Sequence, residues 1–479
     1  MLTGPPPKFH GTRDILVYQP IGQSEVAQAP HALTIREAPA TPSRSLLCEA
    51  PRVISPPKQN FRQPIYTRTR PSMSVHAHPG AAPRMWWERA GLKYMSGRLT
   101  FAGHDVVDCA RPFSDPVFLY DATRPVEKVE MLREALISSS IDPMIFFAMK
   151  ANRFEPLITH LAILGRCGID ACSINELRHA LRCGFRSDSI VYTSHILSTA
   201  DAQVLATLPE VTVNCDSMSA IETIGRIDPG RRIGIRINPG AGASYQGQNN
   251  LSYAGERTTK FGIYRENFKD ALKLARKYGL RVAGLHCHAG CGFLNDQLPA
   301  VAETLSAYRW FADQVPGLEV LNIGGGLGVP HRPTDEELDL KRWAQVVAEN
   351  LGDYGVRIAV EPGDFIVKDS GLLILTAIHV EEKRDTLFVG TNGGFYLAME
   401  PAFYGLPCEP VVCIERETPR RRYTIAGNVN EALDVWAEEI ELPHIEPGDR
   451  LALINAGGYA SSMSSNHCAH PSAHQMLLV

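Results

Sequence analysis

Neither sign of charge is in real excess. The 48 Lys and Arg stand against 52 Asp and Glu, a formal net charge of -4 with a pI near 6.5. Such a balance exerts no general pull toward nucleic acid or an anionic membrane surface, so small molecules are the expected partners. Long apolar runs are also missing. None approaches the roughly 18 residues needed to span a bilayer, which argues against a membrane role. The opening "MLTGPPPKFHG" lacks the charged start and apolar stretch of a secretory signal. The 11 cysteines are scattered and odd in number, so they read as reduced thiols of a cytoplasmic protein rather than a disulfide framework. What is present is an ordinary globular composition, 44% hydrophobic and 21% charged over 479 residues, enough for a large core and two domains.

Order is scarce at the start. The first 85 residues hold 14 of the 34 prolines and show no sustained period of 2 or 3.6. Such a segment buries too little apolar area to offset the entropy of ordering it, and a largely disordered leader is expected over 1–85. Asp14, Glu25 and Glu37 interrupt it and weigh against a transit peptide.

From about residue 115, short β-branched or aromatic runs alternate with helical ones. The strand candidates are "FFAMK", "GIDAC", "IVYTS", "VTVNC", "GIRINP", "GLHCHAG", "VLNIGG" and "RIAVEPG". Helix candidates lie between them, such as "INELRHALRCG" with Leu177, Leu181 and a closing Gly184, and "RENFKDALKLARKYGL" with Phe268, Leu272 and Ala275. The pattern predicts an α/β protein with a (β/α)8 TIM-type barrel over 121–365, although an open doubly wound sheet shares the alternation. After 366 the text turns β-rich, in "LLILTAIHVEEK", "TLFVGTN", "EPVVCIERE", "RRYTIAG" and "DRLALINAGGYA". A second, all-β domain of sandwich or barrel type is expected over 366–479, joined by strands from 86–120 around "GRLTFAGHDVV".

Barrel chemistry sits at the carboxyl ends of the strands. Lys150 ends the first predicted strand, His288 the sixth, Gly324, Gly325 and Gly326 the seventh, and Glu361 the eighth. A lysine at a strand end usually snorkels to water, and a lone histidine is usually structural, but here four such features share one rim. A glycine turn lets backbone N–H groups approach a phosphate. A lysine can form an imine with a phosphorylated aldehyde, and a carboxylate opposite a ring nitrogen keeps that nitrogen protonated; together these describe pyridoxal 5'-phosphate. "NIGGGLGVPHRPT" lacks the full dinucleotide fingerprint. A zinc site of His286, Cys287, His288 and Cys291 is the weaker reading, because alternate strand residues point to opposite faces.

The segments "FAMKAN", "DACSINEL", "RINPG", "KFGI", "HCHAG", "NIGGGLG", "EPGD", "EPAFYG", "NEALDVWAEEIELP" and "GGYASSMSSN" resemble, in order, those of the fold-type III, alanine-racemase-like pyridoxal phosphate decarboxylases acting on ornithine, arginine and meso-diaminopimelate. The resemblance implies Lys150 as the Schiff-base lysine, His288 stacked on the cofactor ring and Glu361 at the pyridine nitrogen. Cys291, Gly324 to Gly326, Gly363 and Tyr459 are implied around the cofactor, and Asp364, Glu400, Tyr404 and Glu431 around the substrate. It further implies a head-to-tail homodimer in which the "NEALD" segment completes the neighbour's site. Three departures stand out. Where diaminopimelate decarboxylases read "EPGR" and "RPALYG", the arginines are replaced by Asp364 and Glu400, so a substrate carboxylate is repelled and a distal cation is expected. Cys291 replaces a phosphate-binding serine, a weaker donor. Asn430 occupies the place of a catalytic, proton-delivering cysteine and has no proton to give. The expected function is therefore decarboxylation of a small basic amino acid or its conjugate. The alternatives are an enzyme for a modified or D-amino acid, an epimerase, or an impaired relative that acts by binding a partner. Dry, cationic surroundings are expected to lower the Lys150 pKa.

Overall fold

The structure is a computed structural model describing residues 15–18 and 85–479, apart from 246–250, 252 and 256. The expected leader thus falls almost wholly outside the described residues. The eight predicted strands all form, as β1 (Pro143–Ala148), β2 (Gly168–Ala171), β3 (Ile190–Ser194), β4 (Thr212–Cys215), β5 (Arg232–Arg236), β6 (Arg281–His286), β7 (Val320–Asn322) and β8 (Arg357–Val360). They close in that order into one parallel barrel, sealed where β8 meets β1 with Val360 opposite Ile145. The open-sheet alternative is thereby excluded.

Strand alternation explains how the barrel packs. Phe147 joins the large core shared with the surrounding helices, whereas Phe146, one residue earlier, packs with Val191 and Ala359 in a separate cluster, as opposite faces of a strand require. Gly168 makes room for this, because a Cβ there would lie 2.7 Å from the Phe146 ring. The helices obey their local signals. Ile174–Arg182 starts where the Ser173 side chain accepts from the Glu176 N–H, and buries Leu177. In Arg265–Lys277, Phe268, Leu272 and Ala275 form the buried face.

The β-domain builds on β9 (Gly371–Lys383), which pairs antiparallel with Val117–Asp121, Gly371 opposite Tyr120. The barrel is therefore inserted between two neighbouring strands of another sheet. The stretch "GRLTFAGHDVV" lies in a separate three-stranded sheet of Leu92–Met95, Arg98–Phe101 and His104–Asp105, which meets the β-domain through an antiparallel bridge of Arg98 with Ile414, and Val106–Ala110 is helical. Three strands went unrecognised in the sequence, and one of them, Ile15–Tyr18, lies within the leader expected to be disordered and pairs antiparallel with His474–Leu478. Val435–Leu442 pairs with Arg421–Ala426, and His474–Leu478 runs parallel to Val117–Asp121. Helix does not stop at 366 either, since Glu400–Tyr404 forms a short one. Among the described residues, no helix is long and apolar enough to cross a membrane.

Candidate active site

Each barrel strand ends by projecting a polar group to one rim. After β1 the chain makes a single 3₁₀ turn, Met149–Ala151, that carries Lys150. The Lys150 Nζ lies 3.1 Å from the Oδ2 of Asp170 on β2. Glu361 directly follows β8; its Oε2 accepts from His286 Nε2 at 2.8 Å and its Oε1 from Asn322 Nδ2 at 2.6 Å. Arg236, ending β5, donates to Asp216 Oδ2 at 2.6 Å and lies over the Phe261 ring. The other oxygen of Asp216 lies 3.3 Å from His195 Nδ1. These groups surround a cavity of about 180 Å³ lined also by Tyr253, His288 and Gly325. A smaller adjoining cavity shares Lys150, His288 and Glu361, and adds Cys291, Gly326, Gly363, Asp364 and Tyr459.

The electrostatics differ from the expectation at Lys150. Burial pulls its pKa down, but the Asp170 carboxylate together with Tyr459, Cys172 and Glu361 more than offsets this and holds the amine well above its ordinary value. The surroundings of this lysine are acidic rather than cationic. Burial and the nearby Glu361 raise Asp170 to about 6. Glu361 goes the other way: burial alone would raise it, yet His286 and its hydrogen bonds bring it down to about 2. His288 is held well below its usual range, by burial first and then by Lys150 and Arg236, so it is neutral. Burial pushes the Cys291 thiol up to about 12.

Pyridoxal phosphate fits these residues. Gly324 and Gly326 adopt φ of +70° and +101°, and a Cβ at Gly325 or Gly326 would lie 2.2 Å from the backbone oxygen of Glu361 or Gly290. Only glycine permits so narrow a turn, and the backbone it exposes suits a phosphate. Buried His288 Nδ1 and Asp170 Oδ1 have no hydrogen-bond partner among the described residues. The ionised Glu361 suits a protonated ring nitrogen. His286 is occupied as the donor to Glu361, and among the described residues no group of three or more His, Cys, Asp or Glu is arranged to hold a metal ion.

The remaining sequence candidates fall into two groups. Asp364 and Glu400 are not free to meet a substrate cation. A fully buried lysine, Lys368, contacts the Glu400 carboxylate and lies 3.5 Å from Asp364 Oδ1. This correction was foreshadowed by the i, i+4 spacing of Asp364 and Lys368, which brings them together on a helical turn. Tyr404, at the end of Glu400–Tyr404, is partly buried, whereas Asn430 and Glu431 are exposed; none of the three lines the cavities that hold Lys150. Glu431 instead lies 3.6 Å from His467 Nε2. Asp170, Asp216, Arg236 and Lys368 were missed as site residues. For Asp170 the available signal was a lone acid inside the otherwise buried run "GIDAC".

Comparison with known proteins places this geometry in a family. Residues 126–368 match the pyridoxal-dependent decarboxylase, pyridoxal binding domain. The diaminopimelate decarboxylase of Methanothermobacter thermautotrophicus is 32% identical over 395 residues, spanning 80% of this chain and 91% of that protein. The crystal structure of diaminopimelate decarboxylase from Helicobacter pylori complexed with L-lysine is 26% identical, with a TM-score of 0.69 over 78% of this chain and 93% of that one. The structure of AQ1208 from Aquifex aeolicus, also 26% identical, gives 0.72 over 81% and 92%. With a barrel rim built to receive the cofactor and a family match across that barrel, the chain belongs to the pyridoxal-dependent decarboxylases, as a pyridoxal 5'-phosphate-dependent amino-acid carboxy-lyase of the ornithine/diaminopimelate decarboxylase type.

Proposed function

We propose that this enzyme removes the α-carboxylate of a small basic amino acid, or of a conjugate of one, as a cytoplasmic head-to-tail homodimer. The observation that carries the substrate class is the state of the cations. Among the described residues lining the two cavities, the Lys and Arg side chains are Lys150, held by Asp170, and Arg236, held by Asp216. Neither is available for a second substrate carboxylate, which disfavours diaminopimelate. The relative solved with L-lysine supports a small amino-acid substrate, and the free state of all ten cysteines among the described residues supports the compartment.

The bound cofactor supplies an electron sink for the pair left when the carboxylate departs. The protein's part is to hold charge and exclude water. Lys150 attaches the cofactor. Glu361, kept ionised by His286 and Asn322, holds a proton at the ring nitrogen. Neutral His288 packs against the ring without adding charge, backed by Tyr253 at a ring-centroid distance of 4.7 Å. Cys291, Gly324 to Gly326, Gly363 and Tyr459 receive the phosphate. Lys150 Nζ, 3.1 Å from the Asp170 carboxylate that favours its charged form, would hold the proton that the α carbon takes up. Tyr404 acts on Tyr253 of this chain's own cavity, whereas Asn430 and Glu431 serve a neighbouring site across a dimer interface, where Asn430 orients a substrate group or a water and Glu431 meets the distal cation.

The test is carbon dioxide release across L- and D-amino acids. Lysine, ornithine, arginine or a conjugate should be turned over faster than meso-diaminopimelate, and the reverse order overturns the proposal. Preference for a D-amino acid would favour the second reading, an enzyme adapted to another substrate geometry, for which the amide at Asn430 is the motivating observation.

A further inference from the structure

Lys368 is a buried charge for which the chemistry above has no use. Its side chain is 0% exposed, and its Nζ contacts Glu400, approaches Asp364 Oδ1 at 3.5 Å and donates to the Gly458 carbonyl at 3.2 Å. Gly458 precedes Tyr459, whose backbone is held at φ +54° and whose N–H donates to Ala151 O at 2.8 Å, next to Lys150. One ammonium thus ties together the turn after β8, the Glu400 helix and the Tyr459 loop.

The small cavity these segments enclose poses an electrostatic problem. Its lining includes the carboxylate of Asp364 and, as Lys or Arg, only Lys150, which is consumed in attaching the cofactor. A phosphate received there faces a fixed negative charge at close range, a costly arrangement away from water. We propose that Lys368 is a positioning residue for the cofactor phosphate: it neutralises Asp364 from behind the cavity and fixes the Gly458–Tyr459 peptide against it. Burial also pushes the Glu400 carboxyl upward against the pull of Lys368, toward sharing a proton that would bring the cluster to neutrality. The inference rests on the reading that the phosphate occupies this glycine-lined cavity.

The experiment compares equilibrium binding of pyridoxal phosphate with that of pyridoxal, which lacks the phosphate, to the full chain stripped of cofactor. The wild type should prefer the phosphorylated form. Lys368→Met should reduce that preference at least tenfold and Lys368→Arg should retain most of it. Asp364→Asn should increase it. The triple variant Lys368→Met, Asp364→Asn, Glu400→Gln leaves no buried charge in the cluster; it should recover preference relative to Lys368→Met and serves if the single variant fails to fold. Equal loss of affinity for both forms in Lys368→Met, a ratio in Asp364→Asn no higher than that of the wild type, or a triple variant with no more preference than Lys368→Met, would overturn the role of Lys368. A wild type indifferent to the phosphate would overturn the placement of the phosphate itself, and the inference with it.

Discussion

At the scale of single residues the sharpest expectation concerns Lys150. Its side chain faces the cavity rather than the core, so Lys150→Ala should fold, lack the visible absorbance of lysine-bound cofactor, and lose turnover on the order of 10³-fold or more. A variant that keeps that absorbance would sink the assignment. Glu361 makes a pH prediction. Its folded pKa lies near 2, below the ordinary 4.5, so it contributes stability that is present above about pH 4.5 and lost as pH falls through 2. Denaturant titrations should show Glu361→Gln losing less stability than the wild type across that acid range. Asn430→Cys should raise the rate of amine formation about tenfold or more if protonation of the α carbon limits turnover; stopped-flow rates that fall instead would mark Asn430 as an adaptation to another substrate. Lys150, His288 and Glu361 were legible in the sequence because each follows a recognisable barrel strand. Asp170 and Lys368 were not, because their importance comes from which charges they meet through space.

Among the elements, the glycine turn after β7 is tightly constrained. In Gly326→Ala the new Cβ would meet Gly290 O at 2.2 Å with φ at +101°. The strain should cost about 1–3 kcal/mol, and spectroscopic titration should show weakened cofactor binding. On β1, Phe147→Ala removes a fully buried ring and should lower stability by about 3–5 kcal/mol in chemical denaturation. The eight barrel strands could be read because their apolar runs are punctuated by glycine, proline and helical periodicity. Val435–Leu442 escaped notice because "VWAEEIEL" is half exposed and its charges mask the alternation. Among the described residues, the short strand His474–Leu478 pairs with Val117–Asp121 and Ile15–Tyr18, partners more than 350 residues away that no local pattern announces.

For the whole molecule, the separation of Asn430 and Glu431 from the Lys150 cavities leads to a complementation test. If sites are shared in a homodimer, Lys150→Ala mixed with a Glu431→Lys variant that is inactive alone should regain about a quarter of wild-type activity, because a mixed dimer holds one intact site. No recovery after subunit exchange, verified by tagged copies, would mean that each chain works alone.

The sequence by itself determined the barrel, the extra β-domain, the lysine at the barrel rim and the glycine turn, because strand alternation, helical period and the conformational freedom of glycine are properties of neighbouring residues. Only the tertiary structure decided the charges. Asp364 and Glu400 read as free acids until Lys368 was found between them, with Glu400 32 residues away from its partner. The environment of Lys150 read as cationic until Asp170 was found at 3.1 Å. Electrostatic energy depends on distance and on the loss of water, and the fold sets both for groups far apart along the chain.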